Sequence, residues 1–412
     1  MRRYNREGHP MARVLLANEL GMGDVHLRRL CALAQALRAH GHEPVLAVHD
    51  LPKAHTLLAD GTLRRVQAPV WRHAVAGLPP VHTYTDLMLR HGFVNLPSLL
   101  SLARAWRDLV TLLQPALVVA DHAPVALFAT RELGLPRLRF GDGIGCPPLA
   151  TPMPPMTWWD ERAEAFDDIG ERNVLHVANQ AAAELGLAPA ASVAELLQAD
   201  GDALCTLPEL DVYPARSGGA WCGPLVAASE GQPVPWPDGD GPCAYVALGA
   251  RHPLLPPLLA ALQQTGQRAV LQVADAAPDQ ARQLTAPGIV VARTPVPLSQ
   301  LRRHCSHAVL DGRPTTAQGL LLLGKPVLML PTQLEGQMLS RRVQALGAGL
   351  WLDAEGDALP DTADLVRALQ RLADDGVLAD TASAWARQHA SHSDERTLAA
   401  VLARCDTLLS AR

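Results

Sequence analysis

The sequence predicts an α/β protein made of two doubly wound parallel-sheet domains, and three observations lead there. Short apolar runs of strand length alternate with segments of helical spacing along most of the chain. The alternation comes in two series, separated by a stretch rich in proline and glycine. At 412 residues the chain is long enough for two domains, each with its own core.

The first series opens with Ala12 to Ala17, an apolar strand. Val25 to His40 follows with Leu27, Leu30, Leu33, Ala34 and Leu37 at helical spacing, and stops at Gly41. Pro44 to Val48 completes a β-α-β unit, whose repetition implies a parallel sheet with helices on both faces. Residues 67–100 read as irregular, with Pro69, Pro79, Pro80 and Pro97 among them. A helix over about Leu99 to Leu113 precedes the strand Ala116 to Ala120. A helix near Ala123 to Leu133 and a strand at Arg137 to Phe140 come next. The glycine-rich loop from Gly141 to Gly145 and the proline-dense stretch to Trp159 read as loop. Helices fill 160–200, and Asp202 to Thr206 ends the series.

Pro214, Pro224, Pro233, Pro235, Pro237 and Pro242 mark 214–242 as a linker. The second series contains strands at Ala244 to Leu248, Ala269 to Val273, Ile289 to Ala292 and Ala308 to Leu310. Thr315 stands where a helix N-cap belongs, ahead of Ala317 to Leu323. Helices at about 361–374 and 379–390 precede an amphipathic one carrying Leu398, Val401, Leu402, Cys405 and Leu409. The expected domains are 11–213, a linker 214–242, 243–390, and a C-terminal helix 391–412.

Composition narrows the class without choosing an activity. A net charge of −5 with no basic block argues against a nucleic-acid partner. No apolar run reaches the ~20 residues of a transmembrane helix, and residues 1–10 lack the apolar core of a signal peptide. Seven scattered cysteines, odd in number and without a Cys-x-x-Cys, suggest reduced thiols in a cytoplasm. His304 and His307 have metal-like spacing, but no neighbouring acid or thiol completes a ligand set, so no metal site is expected.

Two motifs carry chemistry. Between His307 and Gly349 the chain runs strand, turn (Asp311-Gly312-Arg313-Pro314-Thr315-Thr316), helix, Gly324-Lys325-Pro326, strand, then Pro331 and Glu335 before another helix. A helix that starts at the carboxyl end of a parallel strand aims unpaired N–H groups outward, which suits a diphosphate. After the first strand comes Glu19-Leu20-Gly21-Met22-Gly23-Asp24-Val25-His26, which puts an imidazole at the start of the first helix.

Together these stretches resemble nucleotide-sugar glycosyltransferases of the two-Rossmann-domain, GT-B type, the family of the macrolide, plant and glucuronosyl transferases. That family's donor block reads His-Gly-Gly-x-Gly-Thr-x-x-Glu, Gly-x-Pro, then Pro-x-x-x-(Asp/Glu)-Gln. Gly312, Thr316, Gly324, Pro326, Pro331 and Glu335 match it. Asp311 stands in place of His, Arg313 and Thr315 in place of Gly, Gly319 in place of Glu, and Gly336 in place of Gln. Trp221 to Leu225 is similar to the family's domain-linker signature, and the resemblance spans Met11 to about Arg404.

The resemblance implies two Rossmann-like lobes facing across a cleft and an inverting, hexosyltransferase-like, metal-independent enzyme in a bacterial cytoplasm. It makes His26 the general base and Asp121 the carboxylate behind it. It assigns the donor, a UDP- or dTDP-sugar, to Gly23, Arg293, Val296, Asp311, Gly312, Arg313, Thr315, Thr316 and Glu335. The acceptor, a small or lipid-linked molecule, falls to Tyr84, Phe93 and Trp158. No cofactor beyond the donor substrate is implied. A helix N-terminus is expected to lower the imidazole pKa of His26 and keep it neutral. Asp311 would repel a diphosphate unless Arg313 neutralises it.

Taken residue by residue, other readings stay open. His26 could be a solvated first-turn residue, Asp121 a cap for the next helix, and each aromatic a packing residue. A catalytically silent relative would keep the scaffold and bind a ligand or partner, and a sugar-nucleotide epimerase could use the same two lobes. None of these features encodes the oligomeric state.

Overall fold

Each of the two strand series forms its own parallel sheet. The computed structural model describes residues 11–21, 23–57, 61–78, 80–160, 169–226, 231–354 and 359–411. The expectations placed on residues 1–10, Met22, Pro79, 161–168 and 227–230 lie outside them. β1 (Arg13–Asn18), β2 (Glu43–Val48), β3 (Arg64–Gln67), β4 (Leu117–Asp121), β5 (Arg137–Gly141) and β6 (Gly201–Leu204) build the first sheet, in the order β3-β2-β1-β4-β5-β6. β7 (Cys243–Ala247), β8 (Arg268–Gln272), β9 (Ile289–Ala292), β10 (His307–Leu310), β11 (Val327–Met329) and β12 (Gly349–Trp351) build the second, in the order β12-β11-β10-β7-β8-β9.

Numbered from its own first strand, each sheet has the order 3-2-1-4-5-6. That is the doubly wound arrangement, and its strand order reverses between β1 and β4 and again between β7 and β10. Ligands of such sheets bind outside the carboxyl ends of the strands at this reversal. Both candidate motifs leave the sheets there. Asn18 is in register with Asp121, and β10 runs directly into Asp311.

The helix Asp24–Ala39 shows how the local pattern becomes structure. Leu27, Leu30, Leu33, Ala34 and Leu37 are buried as their spacing demands. The helix stops because Gly41 takes a left-handed φ of +86°, letting Gly41 N–H bond Arg38 O at 3.0 Å and His42 N–H bond Leu37 O at 2.9 Å. This pair of bonds is a Schellman ending, and a β-carbon would strain it.

The stretch expected to be irregular, 67–100, contains the helix Tyr84–Arg90 and the start of Leu96–Leu113. Asp86 Oδ2 accepts the Thr83 N–H at 2.8 Å as part of a capping box, and Asn95 Oδ1 accepts the Ser98 N–H at 2.9 Å. Pro97 sits in the first turn, where its missing N–H would have had no helical partner anyway. β3 shows no apolar alternation because it is an edge strand, Arg-Arg-Val-Gln, with charged side chains along it.

The chain divides into two compact units. The first comprises residues up to 207, 215–223 and from 395 onward; the second comprises 208–214 and 224–394. Most of the C-terminal helix Asp394–Ser410 therefore belongs with the first sheet, where Asp406 pairs with His42 at 3.3 Å. Among the described residues no helix is long and apolar enough to cross a membrane.

Candidate active site at two strand reversals

In the first unit, Asp121 ends a strand in which every residue is buried, and its own exposure is 0%. A carboxylate there is stable only with charged or hydrogen-bonding partners. It has two, both on the helix Asp24–Ala39. His26 Nδ1 lies 2.9 Å from Asp121 Oδ1. Arg29, one turn further on, donates from Nη2 to Oδ1 at 2.7 Å and from Nε to Oδ2 at 3.2 Å. Arg29 Nη1 also donates to Asp142 Oδ2 at 3.0 Å. The His26–Asp121 pair expected from the sequence is therefore part of a quartet with Arg29 and Asp142.

Asp121 Oδ1 is the nearest partner of Nδ1 and favours the tautomer with the proton there, against the donor Arg29 Nη2 at 3.0 Å; in that tautomer Nε2 is the proton acceptor. His26 is only partly buried, with its side chain 14% exposed. Glycine lets the ring lie close to the chain: a β-carbon on Gly21 would fall 2.3 Å from His26 Cγ. Glu19 of the same motif has a separate task. It accepts the N–H groups of Val125 (2.9 Å) and Ala126 (2.5 Å) and so caps the short helix Pro124–Ala129. Gly23 is the exposed N-cap of the first helix.

The electrostatics correct one expectation. His26 has a raised pKa, not a lowered one: burial disfavours the imidazolium, but the charge of Asp121 and its hydrogen bond outweigh burial. With a neutral imidazole, two carboxylates and one guanidinium leave one buried negative charge, which protonation of His26 cancels. Burial works against ionising Asp121 and Asp142 too, yet Arg29 and His26 hold both below the usual carboxylate range. In the Asp121→Asn variant the quartet is neutral without the proton. Its acidic limb of kcat/KM is expected to move to lower pH, with transfer slower by ~10²-fold or more. A pH–rate profile whose limb stays in place would remove Asp121 as the source of the shift.

His122 was missed by sequence reasoning. It follows Asp121 with φ +53°, its ring centroid lies 5.9 Å from that of His26, and its Nε2 is buried without a hydrogen-bond partner among the described residues. Burial, then the charge of His26, pushes its pKa down to about 3, so it stays neutral. A non-glycine residue in this backbone region often marks a functional site, and only coordinates reveal it.

In the second unit the donor candidates follow the carboxyl ends of β9, β10 and β11. Arg313 grips Asp311 with both groups of its fork: Nη2 to Oδ2 at 2.7 Å, and Nε to Oδ2 at 2.9 Å and to Oδ1 at 3.0 Å. The charge of Asp311 is thus neutralised by Arg313, as its neighbour in sequence suggested. Thr315 is not the N-cap. The helix is Pro314–Leu322 with Arg313 as N-cap, because Pro314 favours the first helical position. Thr315 and Thr316 become the second and third helical residues, whose N–H groups have no intrahelical acceptor.

Gly312 has φ +93°, and a β-carbon on it would meet Gly336 Cα at 2.7 Å. This backbone contact explains glycine at 336, since a β-carbon there would lie 2.9 Å from Pro331 Cβ. Gly319 is buried beside Val226 and Leu298. Val296 N–H donates to Gln272 Oε1 at 3.1 Å, Tyr245 Oη donates to the same oxygen at 2.6 Å, and Arg293 Nε donates to Ala276 O at 3.2 Å. Tyr245 and Gln272 sit inside apolar strand runs, so nothing in the sequence singled them out. Glu335 lies in the first turn of Leu334–Leu346, where a carboxylate complements the helix dipole.

The three acceptor candidates lie in different surroundings. Phe93 is fully buried, edge-on to Phe128, in the core of the first unit. Tyr84 is 1% exposed in that core, with its ring 5.5 Å from His122. Both pack within that core. Trp158 is partly exposed and edge-on to Trp159. His307 is buried between Ser306 Oγ (3.0 Å) and Gln267 Oε1 (3.2 Å), while His304 stacks on Trp236. Among the described residues no group of three His, Cys, Asp or Glu is placed to hold a metal ion.

No protein-family model matches the chain, and no curated protein matches it. Solved structures do. The chain is similar to the glycotransferase of kitacinnamycin, 16% identical, with 97% of this chain and 99% of that one covered and a TM-score of 0.73. It is also similar to the calicheamicin glycosyltransferase CalG4, 18% identical, with 97% and 98% covered and a TM-score of 0.72. A third match is the spinosyn rhamnosyltransferase SpnG complexed with thymidine diphosphate, 21% identical, with 95% and 99% covered and a TM-score of 0.66. The chain therefore has the two-domain GT-B fold that these glycosyltransferases share.

Proposed function

We propose that the protein is an inverting glycosyltransferase that moves a sugar from a UDP- or dTDP-linked donor to a hydroxyl of a small or lipid-linked acceptor. The observation that carries this reading is the His26–Asp121 contact at the first strand reversal, with Nε2 left to accept a proton. The acceptor hydroxyl gives its proton to Nε2 while its oxygen attacks the anomeric carbon. The bond from that carbon to the diphosphate oxygen breaks on the opposite face, which inverts the configuration. Asp121 stabilises the imidazolium as it forms. The leading N–H groups of Thr315 and Thr316 meet the charge that develops on the diphosphate, a task those amides perform without a metal. The SpnG complex with thymidine diphosphate supports a diphosphate-linked donor. Seven free thiols fit a reducing, cytoplasmic setting.

The test is direct. Millimolar dTDP or UDP should raise the melting temperature, and sugar should pass from a dTDP- or UDP-hexose to acceptors in a phenol and alcohol panel. Nucleotide binding without transfer to any acceptor, and without release of free sugar, would favour the second reading: a silent, ligand-binding relative. The observation behind that alternative is the Asp311 carboxylate beside the helix that would receive the diphosphate. Arg313→Ala is expected to weaken dTDP or UDP binding by roughly tenfold to a hundredfold, because one charge-assisted bond is lost and Asp311 is left uncompensated. Asp311→Asn should not weaken binding. Unchanged affinity in Arg313→Ala, measured by calorimetry, would mean that the phosphates are held elsewhere.

A further inference from the structure

The first unit contains a cavity of about 720 Å³ at the carboxyl ends of β2 and β3. That volume falls in the range of small-molecule sites. Its walls come from three places: His49 and Asp50 after β2, the segment from Trp71 to Val75 after β3, and Arg90 with His91 at the end of the helix Tyr84–Arg90. Gln67 ties the first two together, donating from Nε2 to Val48 O (3.2 Å), His49 O (2.8 Å) and Ala68 O (3.1 Å). The site is therefore braced by the strand ends.

The lining is charged. Arg72 and Arg90 contribute positive charge and Asp50 negative charge, and Arg90 Nη1 also donates to Asp86 O at 2.9 Å. Asp50 is also engaged, since its Oδ1 accepts the Lys53 N–H at 2.9 Å in the first turn of the helix Leu51–Leu57. Burial first lowers the pKa of His91, the hydrogen bond to Leu87 O works against this, and the nearby His49 and Arg90 add to the lowering. Trp71 and His73 pack edge to face at 4.9 Å and form an aromatic wall.

The cavity adjoins the loop that leads into the His26 helix. His49 Nδ1 hydrogen-bonds the carbonyl of Glu19 in that loop. His91 acts electrostatically on His122, whose ring neighbours that of His26. We infer that this cavity binds the acceptor, and that the acceptor is an aromatic molecule bearing a carboxylate, which Arg72 and Arg90 meet while Trp71 and His73 border its ring. A carboxylate suits the two guanidinium groups, and a planar body suits the aromatic wall. The assignment rests on the transferase reading of His26, but its test does not depend on turnover.

The probes are 6-hydroxy-2-naphthoate and its methyl ester, titrated calorimetrically into the full-length protein. The acid should bind about tenfold tighter than the ester, as one charge-assisted contact allows. In the Arg72→Ala/Arg90→Ala double variant the acid should fall to the affinity of the ester. Affinity for the ester and stabilisation by dTDP should both persist, which shows that the variant is folded. Equal binding of acid and ester, no binding of the acid at millimolar concentration, or an acid affinity indifferent to the two substitutions would each overturn the inference. If the acid fails while dTDP still stabilises the protein, only this inference is lost; a missing dTDP response counts against the transferase reading itself.

Discussion

His26→Ala is expected to reduce transfer by ~10²–10⁴-fold in kcat, the usual contribution of a positioned general base. The nucleotide's Kd should be unchanged, because every donor candidate except Gly23 lies in the other unit. The reason is local. The imidazole is the most exposed side chain of the quartet, and the hydrogen bond from Nδ1 to Asp121 leaves Nε2 as the acceptor. The raised pKa adds a signature. A base works only when neutral, so wild-type turnover should decline as pH falls through a value above that of an ordinary imidazole. Steady-state kinetics beside calorimetric nucleotide binding would check both points. Wild-type turnover in His26→Ala would remove the base assignment.

Arg29→Ala should be the most destabilising single change at the site, by ~3–5 kcal/mol, because it strands two buried carboxylates. Arg29 is 6% exposed and bonds Asp121 and Asp142 at once. In the wild type both carboxyl groups titrate below their unfolded values, so their stabilising effect is complete above the ordinary carboxylate range and lost only in strong acid. Without Arg29, burial dominates and raises the folded pKa values. Stability from these groups is then present in acid and lost as pH rises. The gap in melting temperature between wild type and Arg29→Ala should therefore narrow as pH falls from 8 toward 5. A gap that is constant or widening would mean that Arg29 does not hold these charges.

Much of the fold was open to reading in one dimension, because strands and helices announce themselves by local periodicity. The β1–helix–β2 unit, the β4 and β10 strands and the helix after β10 lie where their apolar spacing places them. Misreadings came where side chains do unusual local work. Pro97 looked like a breaker and is a first-turn residue, and Thr315 looked like a cap although Pro314 places the cap at Arg313, two residues earlier.

The candidate site divides along the same line. His26 and Asp121 could be named because the family resemblance marks them, one at the start of a helix and the other at the end of a strand. Arg29 could not, since an arginine three residues beyond His26 looks like any charge on a helix surface. Asp142 lies 113 residues away in the chain from Arg29, in what reads as plain loop.

The sequence by itself determined two doubly wound series, the place of each motif at a strand's carboxyl end, and the residue types a base and an anion cradle require. Only the tertiary structure decided which charges meet. Apolar periodicity is written in neighbouring residues, whereas a buried carboxylate's partner depends on which strand lies beside which. Setting β4 against β1 brings Asp121 under both His26 and Arg29, and the Gly312–Gly336 contact is likewise made between elements joined by no local pattern.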